Sequence, residues 1–382
     1  MSTHLPGTTI GVIGGGQLAR MMALEARRMG YRVAVLAARP DEPAVPLADL
    51  WIPGAIDDVD AAERLAKSVD VITVDSEHVP ASLLAYIELF CPVRPSPDVL
   101  RTIQDRRAQR RFLSRIGAPQ PLCVAIDSLE DLRKEVRVIG LPCVLKSRRA
   151  GYDGKGQAVI REIGQVDSAW ETIGRAPSML EELVPFDAEI SVLLARTPSG
   201  EMRFYPVAHN VHRHHVLHAT MAPATLPQSV EQEAIQIAGS IAEALDHAGM
   251  MAVEMFLVGS DLLVNEIAPR PHNSGHYTFG ACVTSQFEQH VRAVLDLPLG
   301  DPSLSRPAVM VNLFGDLWQD GDPDWTPILS RPEARLHLYG KKEARPGRKM
   351  GHVLLLDDNP HRALRNGEAL LETLSPPNHL VA

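Results

Sequence analysis

The chain lacks what several protein classes require. None of its 382 residues fall in an apolar run approaching the roughly 18 needed to cross a membrane. Met1 to Gly7 has neither the basic stretch nor the apolar segment of a secretory leader, so a cytoplasmic protein without a membrane partner is expected. Cysteine is scarce. Cys91, Cys123, Cys143 and Cys282 are far apart and form no C-x-x-C pair, which argues against a disulfide framework or a cysteine zinc site and leaves four buried, reduced thiols as the expectation. Positive charge is in deficit: a formal net charge of -9 disfavours a nucleic-acid partner, although local basic clusters can still hold small anions. What remains, with 45% hydrophobic and 22% charged residues, is ordinary globular composition. The length suits two or three domains at roughly 100 to 200 residues each.

Strands and helices alternate from the start. Thr9 to Ile13 reads as an apolar strand, Gly14-Gly15-Gly16 as a turn and Gln17 to Met29 as a helix stopped by Gly30. Strands follow at Tyr31 to Leu36 and Val69 to Val74, the latter after a helical stretch Ala61 to Lys67. This is the pattern of an open parallel α/β sheet, ending near residue 100 at Pro92, Pro95 and Pro97. A single helix is expected over Leu100 to Ile116, its arginines forming a solvated face around the stripe of Ile103, Phe112 and Ile116. A mixed region runs from about 118 to 300. A strand-rich piece follows, with strands at Ala308 to Phe314, Leu336 to Tyr339 and His352 to Leu356.

Several segments carry chemistry. Gly14-x-Gly16-x-x-Ala19 has the form of a dinucleotide fingerprint, but the second strand ends in Ala37-Ala38-Arg39 where an NAD enzyme places an acid; an NADP variant using Arg39 stays open. Val144-Leu145-Lys146 is an apolar strand with one lysine. The glycine-punctuated run Ser147 to Gln157 follows it and could fold its amides over phosphates, although it is not the P-loop pattern. Val253 to Val258 and Leu262 to Ile267 read as a hairpin. With Gly259-Ser260-Asp261 as its loop, 258 faces 262, 256 faces 264 and Glu254 faces Glu266. Like charges opposed in apolar strands are destabilising unless a cation sits between them, and two carboxylates plus polyphosphate oxygens commonly hold Mg²⁺. The alternative is a pair of glutamates on a solvated outer face. Pro269-Arg270-Pro271-His272-Asn273-Ser274-Gly275-His276 reads as a proline-stiffened loop capable of binding an anion, and the five cations from Lys341 to Lys349 read as either a phosphate site or a solvated basic turn. His209, His212, His214, His215 and His218 crowd together without Cys, carboxylate or metal-protease spacing, so no dedicated zinc site is expected.

Together these segments resemble the ATP-grasp superfamily, and within it the 5-(carboxyamino)imidazole ribonucleotide synthases of purine biosynthesis. The likeness spans nearly the whole chain. It rests on Gly14 to Met21, Gln104-Asp105-Arg106, Gly151 to Gln157, Glu189-Ile190-Ser191, Asn265 to Gly275, and Tyr339-Gly340-Lys341 with Gly347 to His352. It implies an α/β protein: a Rossmann-like pre-ATP-grasp parallel-sheet domain (1–100), an ATP-grasp domain (101–305) with a mobile lid at about 120–188, and a small β-rich C-terminal domain (306–382).

The implied enzyme is a ligase that phosphorylates bicarbonate with ATP and transfers the carboxyl unit to 5-aminoimidazole ribonucleotide. Matched residue by residue, Arg106, Lys146 and Gly151, Tyr152, Asp153, Gly154, Lys155, Gly156 and Gln157 would hold ATP phosphates. Glu181, Glu182, Leu183 and Val184 would line the adenine cleft, Glu189 would bind the ribose, and His212 and Asn265 would also meet the nucleotide. Glu254 and Glu266 would carry Mg²⁺. Gly15, Gln17, Leu18, Glu77, Ser274 and Lys349 would contact substrate, and Arg270, His272, Asn273, Lys341 and Arg348 would surround bicarbonate and the ribonucleotide. Tyr152 and Asp153 would close over both substrates, Asp153 being the candidate base for the amine. The resemblance also implies a homodimer, and contact with the next purine-pathway enzyme is a further expectation.

The chain departs from the family pattern at His214-His215, at Arg110 where lysine is common, and at Val74-Asp75-Ser76; were the histidines near the nucleotide, activity would fall as they change charge between about pH 6 and 7. Rival readings are a formate-dependent glycinamide ribonucleotide transformylase, a biotin carboxylase subunit, an NADP oxidoreductase and a non-catalytic nucleotide sensor.

Overall fold

The computed structural model describes residues 4–149 and 156–374. The first piece comprises β1 (Thr9–Ile13), α1 (Gln17–Arg28), β2 (Arg32–Ala37), β3 (Leu50–Pro53), α2 (Val59–Ala66), β4 (Val71–Val74) and α3 (Ala81–Ile87). Its strands form a parallel sheet in the order β3-β2-β1-β4. Burial explains their composition: β1, β2 and β4 are almost wholly buried, as strands covered on both faces must be. Gly30, at φ +86°, ends α1. Its N–H donates to the Arg27 carbonyl and that of Tyr31 to the Ala26 carbonyl, the pair of bonds that a left-handed cap permits.

The expected single helix over 100–116 is two helices, α4 (Pro97–Ile103) and α5 (Arg106–Ile116). Asp105 causes the break: its carboxylate accepts from the Arg107 and Ala108 N–H groups at 2.9 and 3.3 Å and so starts a new helix. The expected solvated arginine face holds at Arg101, Arg111 and Arg115, which are exposed, but not at Arg110, which is buried.

A separate antiparallel sheet comes next, built from β5 (Cys123–Ile126), β6 (Cys143–Ser147), β7 (Gln157–Ile160) and β8 (Ser178–Glu182) in the order β5-β8-β6-β7. With α6 (Leu129–Ile139) and α7 (Val166–Thr172) it encloses its own apolar cluster around Leu132, Leu145 and Trp170.

The central sheet gathers β9 (Ala188–Arg196), β10 (Met202–Phe204), β11 (Ala208–Arg213), β12 (Val216–Ala222), β13 (Gly249–Val258) and β14 (Asp261–Ala268), with α8 (Gln228–Ala244), α9 (Thr278–Ala281) and α10 (Gln286–Val294) packed about it. The strand-rich C-terminal piece joins this sheet edge to edge. It contains β15 (Ala308–Phe314), α11 (Thr326–Leu329), β16 (Ala334–Leu338), β17 (Lys349–Leu356) and α12 (Pro360–Leu374), and β15 pairs with β12, giving the order β14-β13-β9-β11-β12-β15-β17-β16. Among the described residues no helix is long and apolar enough to cross a membrane. All four cysteines are free, but only Cys91 and Cys143 are buried; Cys123 and Cys282 are half-buried, against the expectation of four buried thiols.

The β13–β14 hairpin sets Glu254 opposite Glu266, but by another route than a three-residue loop. The loop is Gly259-Ser260 alone, with Gly259 at φ +61°, so Val258 faces Asp261 and Met255 faces Val264. A bulge at Asn265 then shifts the register by one and restores the carboxylate pair. Because a bulge breaks the alternation of faces, the consecutive residues Asn265 and Glu266 both line the same cleft.

Asp105 also pairs with Arg148 at 2.6 Å, tying the start of α5 to the end of β6. Replacing Asp105 by Ala is expected to cost about 1–2 kcal/mol through the lost cap. A fall in the urea midpoint that Asp105→Asn partly restores is the expected result, and an unshifted midpoint would refute it.

Candidate active site

A cleft of about 1310 Å³ opens where the three sheets meet. Gln17, Leu18 and Glu77 reach it from the first piece, Lys146 and Glu182 from the separate antiparallel sheet, and Glu254 and Asn265 from the central sheet. Its floor is ionic. Glu181, 1% exposed, accepts from Lys146 Nζ at 2.7 Å and from Arg110 Nε at 2.9 Å, while Arg110 Nη1 donates to the Val264 carbonyl at 2.8 Å. Burial alone would push the Glu181 carboxyl up, but Lys146 and Arg110 outweigh it and hold the group well below the usual carboxylate range. Two cations share one anion, so the floor keeps a net positive charge facing the cleft. Arg106, the first residue of α5, adds the positive end of that helix, and its Nη2 lies 3.9 Å from Glu266.

Glu254 and Glu266 face each other across β13 and β14 beside this floor. Burial, then the Glu266 charge, pushes the Glu254 carboxyl up to about 7. Two opposed carboxylates, one of them resisting ionisation, are short of positive charge. Among the described residues no group of three His, Cys, Asp or Glu side chains could enclose a metal. The donor set therefore fits a divalent cation that takes two protein oxygens and completes its shell with phosphate oxygens and water.

Nearby, His212 Nδ1 approaches Glu189 Oε2 to 2.5 Å, off the line of a hydrogen bond; burial opposes protonation of the imidazole, but the carboxylate prevails and raises its pKa. Phe186 stacks on Phe256 with ring centroids 4.8 Å apart, and both rings line the same cleft.

The opposite wall comes from the loop after β14 and the turn before β17. Arg270 pairs with Glu77, whose carboxyl it holds at about 2 against the effect of burial. His272 Nδ1 accepts from the Ser274 N–H at 3.3 Å and lies 2.9 Å from Ser274 Oγ, which assigns the ring proton to Nε2. Burial pushes this imidazole down to about 3, so it is neutral at physiological pH. Lys341 Nζ donates to the Lys349 carbonyl at 2.6 Å, and Arg348 Nη1 to that of Glu343 at 2.8 Å.

Most of the residues singled out in the sequence converge here. Arg106, Lys146, Gly156, Gln157, Glu181 to Val184, Glu189, His212, Asn265, Glu266, Arg270, His272, Asn273, Lys341, Arg348 and Lys349 all line the cleft. Gly151, Tyr152, Asp153, Gly154 and Lys155 lie outside the described residues. Ser274 is wholly buried beneath His272 rather than lining the cleft. Gly15 turns toward Glu42, whose carboxylate oxygen would sit 2.6 Å from an added Cβ. His214 and His215 form the left-handed turn between β11 and β12, at φ +50° and +64°, on the rim of the same cleft.

The structure also answers the dinucleotide reading. Gly16 N–H, the amide such a phosphate would take, donates to Asp75 at 2.7 Å, and a Cβ on Gly14 would fall 1.8 Å from the same carboxylate. The glycine turn thus accommodates an internal acid, one that burial pushes up to about 6. Sequence reasoning missed this use of Asp75, as well as Arg110 and the Phe186–Phe256 wall. For Arg110 the available signal was the need of Lys146 and Glu181, on adjacent buried strands, for a further charge partner.

Models of three domains match in order. They are the ribonucleotide synthetase preATP-grasp domain at residues 7–104, the ATP-grasp domain at 111–287, and the phosphoribosylaminoimidazole carboxylase C-terminal domain at 308–366. The chain is 40% identical over 352 residues to N5-carboxyaminoimidazole ribonucleotide synthase of Bacillus subtilis, covering 92% of each. Its fold is similar to that of Staphylococcus aureus N5-carboxyaminoimidazole synthetase complexed with ADP, with a TM-score of 0.92 at 34% identity, covering 97% of this chain and 99% of that one. The Aspergillus clavatus N5-carboxyaminoimidazole synthase in complex with ADP and 5-aminoimidazole ribonucleotide gives a TM-score of 0.89 at 32% identity, covering 96% and 98%.

The carboxylate pair predicts a pH signature. The pKa of Glu254 is raised from 4.5 to about 7 in the folded chain, so folding favours its protonated form. The resulting cost is absent below the unfolded pKa, grows as the pH rises to about 7, and is constant above that. Glu254→Gln, neutral throughout, should therefore be more stable than the metal-free native chain at about pH 8, by roughly 1–3 kcal/mol, and gain nothing near pH 4.5. Mg²⁺ should raise the Tm of the native chain and leave that of the variant nearly unchanged. Equal native and variant stabilities at both pH values would refute the assignment.

Proposed function

The chain belongs to the N5-carboxyaminoimidazole ribonucleotide synthase family, and from that premise we propose that its cleft joins bicarbonate to the exocyclic amine of 5-aminoimidazole ribonucleotide, using ATP. The observation that carries this reading is the arrangement of charge in one cleft: a cationic floor at Lys146, a facing carboxylate pair, and a second cationic wall at Arg270 and Lys341. Bicarbonate oxygen attacks the γ-phosphorus, the bond to the β-phosphate oxygen breaks, and ADP departs. The amine of the ribonucleotide then attacks the carbonyl carbon of carboxyphosphate, a C–N bond forms, inorganic phosphate leaves, and the amine gives up one proton. The product is 5-(carboxyamino)imidazole ribonucleotide, an intermediate of de novo purine biosynthesis.

Both steps bring anions together, so positioning and fixed positive charge do most of the catalysis. In this reading Lys146 and Arg106 hold the ATP phosphates, and Glu181 keeps Lys146 charged and aimed. Glu189 and His212 meet the ribose, while Glu182 to Val184 and the stacked phenylalanines bound the base. When bound, Mg²⁺ supplies charge neutralisation between phosphate oxygens and is held by Glu254 and Glu266. Arg270, neutral His272 donating through Nε2–H, Asn273, Lys341 and Arg348 receive bicarbonate and the ribonucleotide, with Gln17, Leu18, Glu77 and Lys349 at the margin. Asp153 takes the amine proton, and Tyr152 with the rest of the 151–157 loop shields carboxyphosphate from water. A cytoplasmic homodimer in transient contact with the following enzyme completes the proposal.

The test follows ADP release from Mg-ATP with and without bicarbonate and 5-aminoimidazole ribonucleotide, together with carbon label entering an acid-labile product. Turnover is expected to need all three substrates. Asp153→Asn and Lys341→Ala should each lower kcat by roughly 10²–10³-fold while ATP still binds. ATP binding without ribonucleotide-dependent turnover in the native chain would overturn the substrate assignment.

A further inference from the structure

One buried polar side chain next to the cleft has no place in the reaction described so far. Asn312, in the middle of β15, is completely buried, yet its amide pairs reciprocally with that of Asn273: Asn273 Nδ2 donates to Asn312 Oδ1 at 3.0 Å, and Asn312 Nδ2 donates to Asn273 Oδ1 at 2.7 Å. The second N–H of Asn312 goes to the Leu217 carbonyl on β12 at 2.8 Å.

That third bond removes the ambiguity of an amide. Flipping Asn312 would press its oxygen against the Leu217 carbonyl and leave two buried acceptors in contact. With Asn312 fixed, only one orientation of Asn273 satisfies both of its bonds. The remaining N–H and the remaining lone pair of Asn273 are left for the cleft that it lines.

We propose that Asn312 is a positioning residue for the carboxylation: it selects the amide orientation that Asn273 presents to bicarbonate and the ribonucleotide, and pins the 272–276 loop to two strands of the central sheet. The proposal rests on the reading of the cleft given above. Its surroundings agree with it. On β17, His352 stands directly opposite Asn312, and its Nδ1 lies within hydrogen-bond distance, 2.9 Å, of the hydroxyl of Tyr339, two residues before Lys341. His276, at the end of the 272–276 loop, lies over His352 with ring centroids 5.0 Å apart. One polar row on the C-terminal strands therefore supports both segments that form the cationic wall.

The test is a double-mutant cycle. Asn312→Leu should lower kcat/KM for 5-aminoimidazole ribonucleotide by roughly ten- to a hundred-fold, the cost of a misplaced catalytic contact. The KM for ATP should stay within about two-fold. In an Asn273→Ala background the same substitution should cost nothing further, because its effect passes through residue 273. An equal additional loss in that background, or a parallel rise in the KM for ATP, would overturn the proposal in favour of a packing role. Should Asn312→Leu not fold, Asn312→Asp, which keeps the size and the accepting oxygen but has no N–H for Leu217 or Asn273, is put through the same cycle and read in the same way. Native turnover without the ribonucleotide would dispose of the reaction and of this role together. Native ribonucleotide-dependent turnover that Asn312→Leu leaves untouched would dispose of the role of Asn312 alone.

Discussion

The ion cluster of Glu181 with Lys146 and Arg110 is the joint on which the cleft depends. A lysine as buried as Lys146 has its pKa lowered by desolvation, then by the neighbouring Arg106 and Arg110, and only the carboxylate beside it holds the charge in place. The same carboxylate takes Arg110, which reaches on to the backbone of β14. One anion thereby links β6 and β8 of the separate sheet to α5 and to the central sheet. Removing it would strand two cations in low dielectric, which explains the acid at the base of the proposed phosphate site.

Charge elsewhere in the cleft follows from the same economy. The reactants proposed for this cleft are all anionic, so a buried acid there is costly unless a cation answers it. Glu77 has Arg270, and Glu181 has its pair. Glu254 and Glu266 instead oppose each other across two strands, with Arg106 Nη2 3.9 Å from Glu266, and the strain appears as the raised pKa of Glu254. Burial keeps His272 neutral, so it can donate a hydrogen bond without adding a further charge. Asp75, meanwhile, takes the Gly16 amide at the N-terminus of α1, whose first residues Gln17 and Leu18 also line the cleft.

Legibility in the sequence followed the strength of local patterns. Buried parallel strands and the Gly30 stop are written as apolar runs and a single glycine, and β1 and β15 lie where those runs predict them. The Glu254–Glu266 pairing was also readable, although by partly compensating errors. A loop one residue too long and an unseen bulge leave the same two residues facing each other, and hydropathy alone carries no mark of a bulge. The break at Asp105 was missed because the arginine run on either side has helical propensity throughout, and a cap acts through a single hydrogen-bonding side chain. Arg110 and Asn312 were missed for another reason: each is defined by partners more than 35 residues away in the chain, including Glu181 at a separation of 71 and Leu217 at 95, so no local pattern marks them.

The two walls of the cleft are held differently, and the chemistry gives a reason. The wall bearing Asn273 and Lys341 rests on strands continuous with the central sheet, through β12 to β15 to β17, and its polar groups are bound to one another in the interior. The wall bearing Lys146 belongs to a sheet with a core of its own, joined to the rest through ion pairs and backbone hydrogen bonds such as Asp105 with Arg148 and Val264 N–H with the Pro119 carbonyl. Polar links of this kind re-form after a small rotation, whereas an interdigitated apolar interface would have to unpack. An unstable acyl phosphate needs one surface that fixes the acceptor and another that admits nucleotide and then excludes water. For the proposed reaction, an acceptor wall continuous with the central sheet, facing a nucleotide wall with a core of its own, meets both needs.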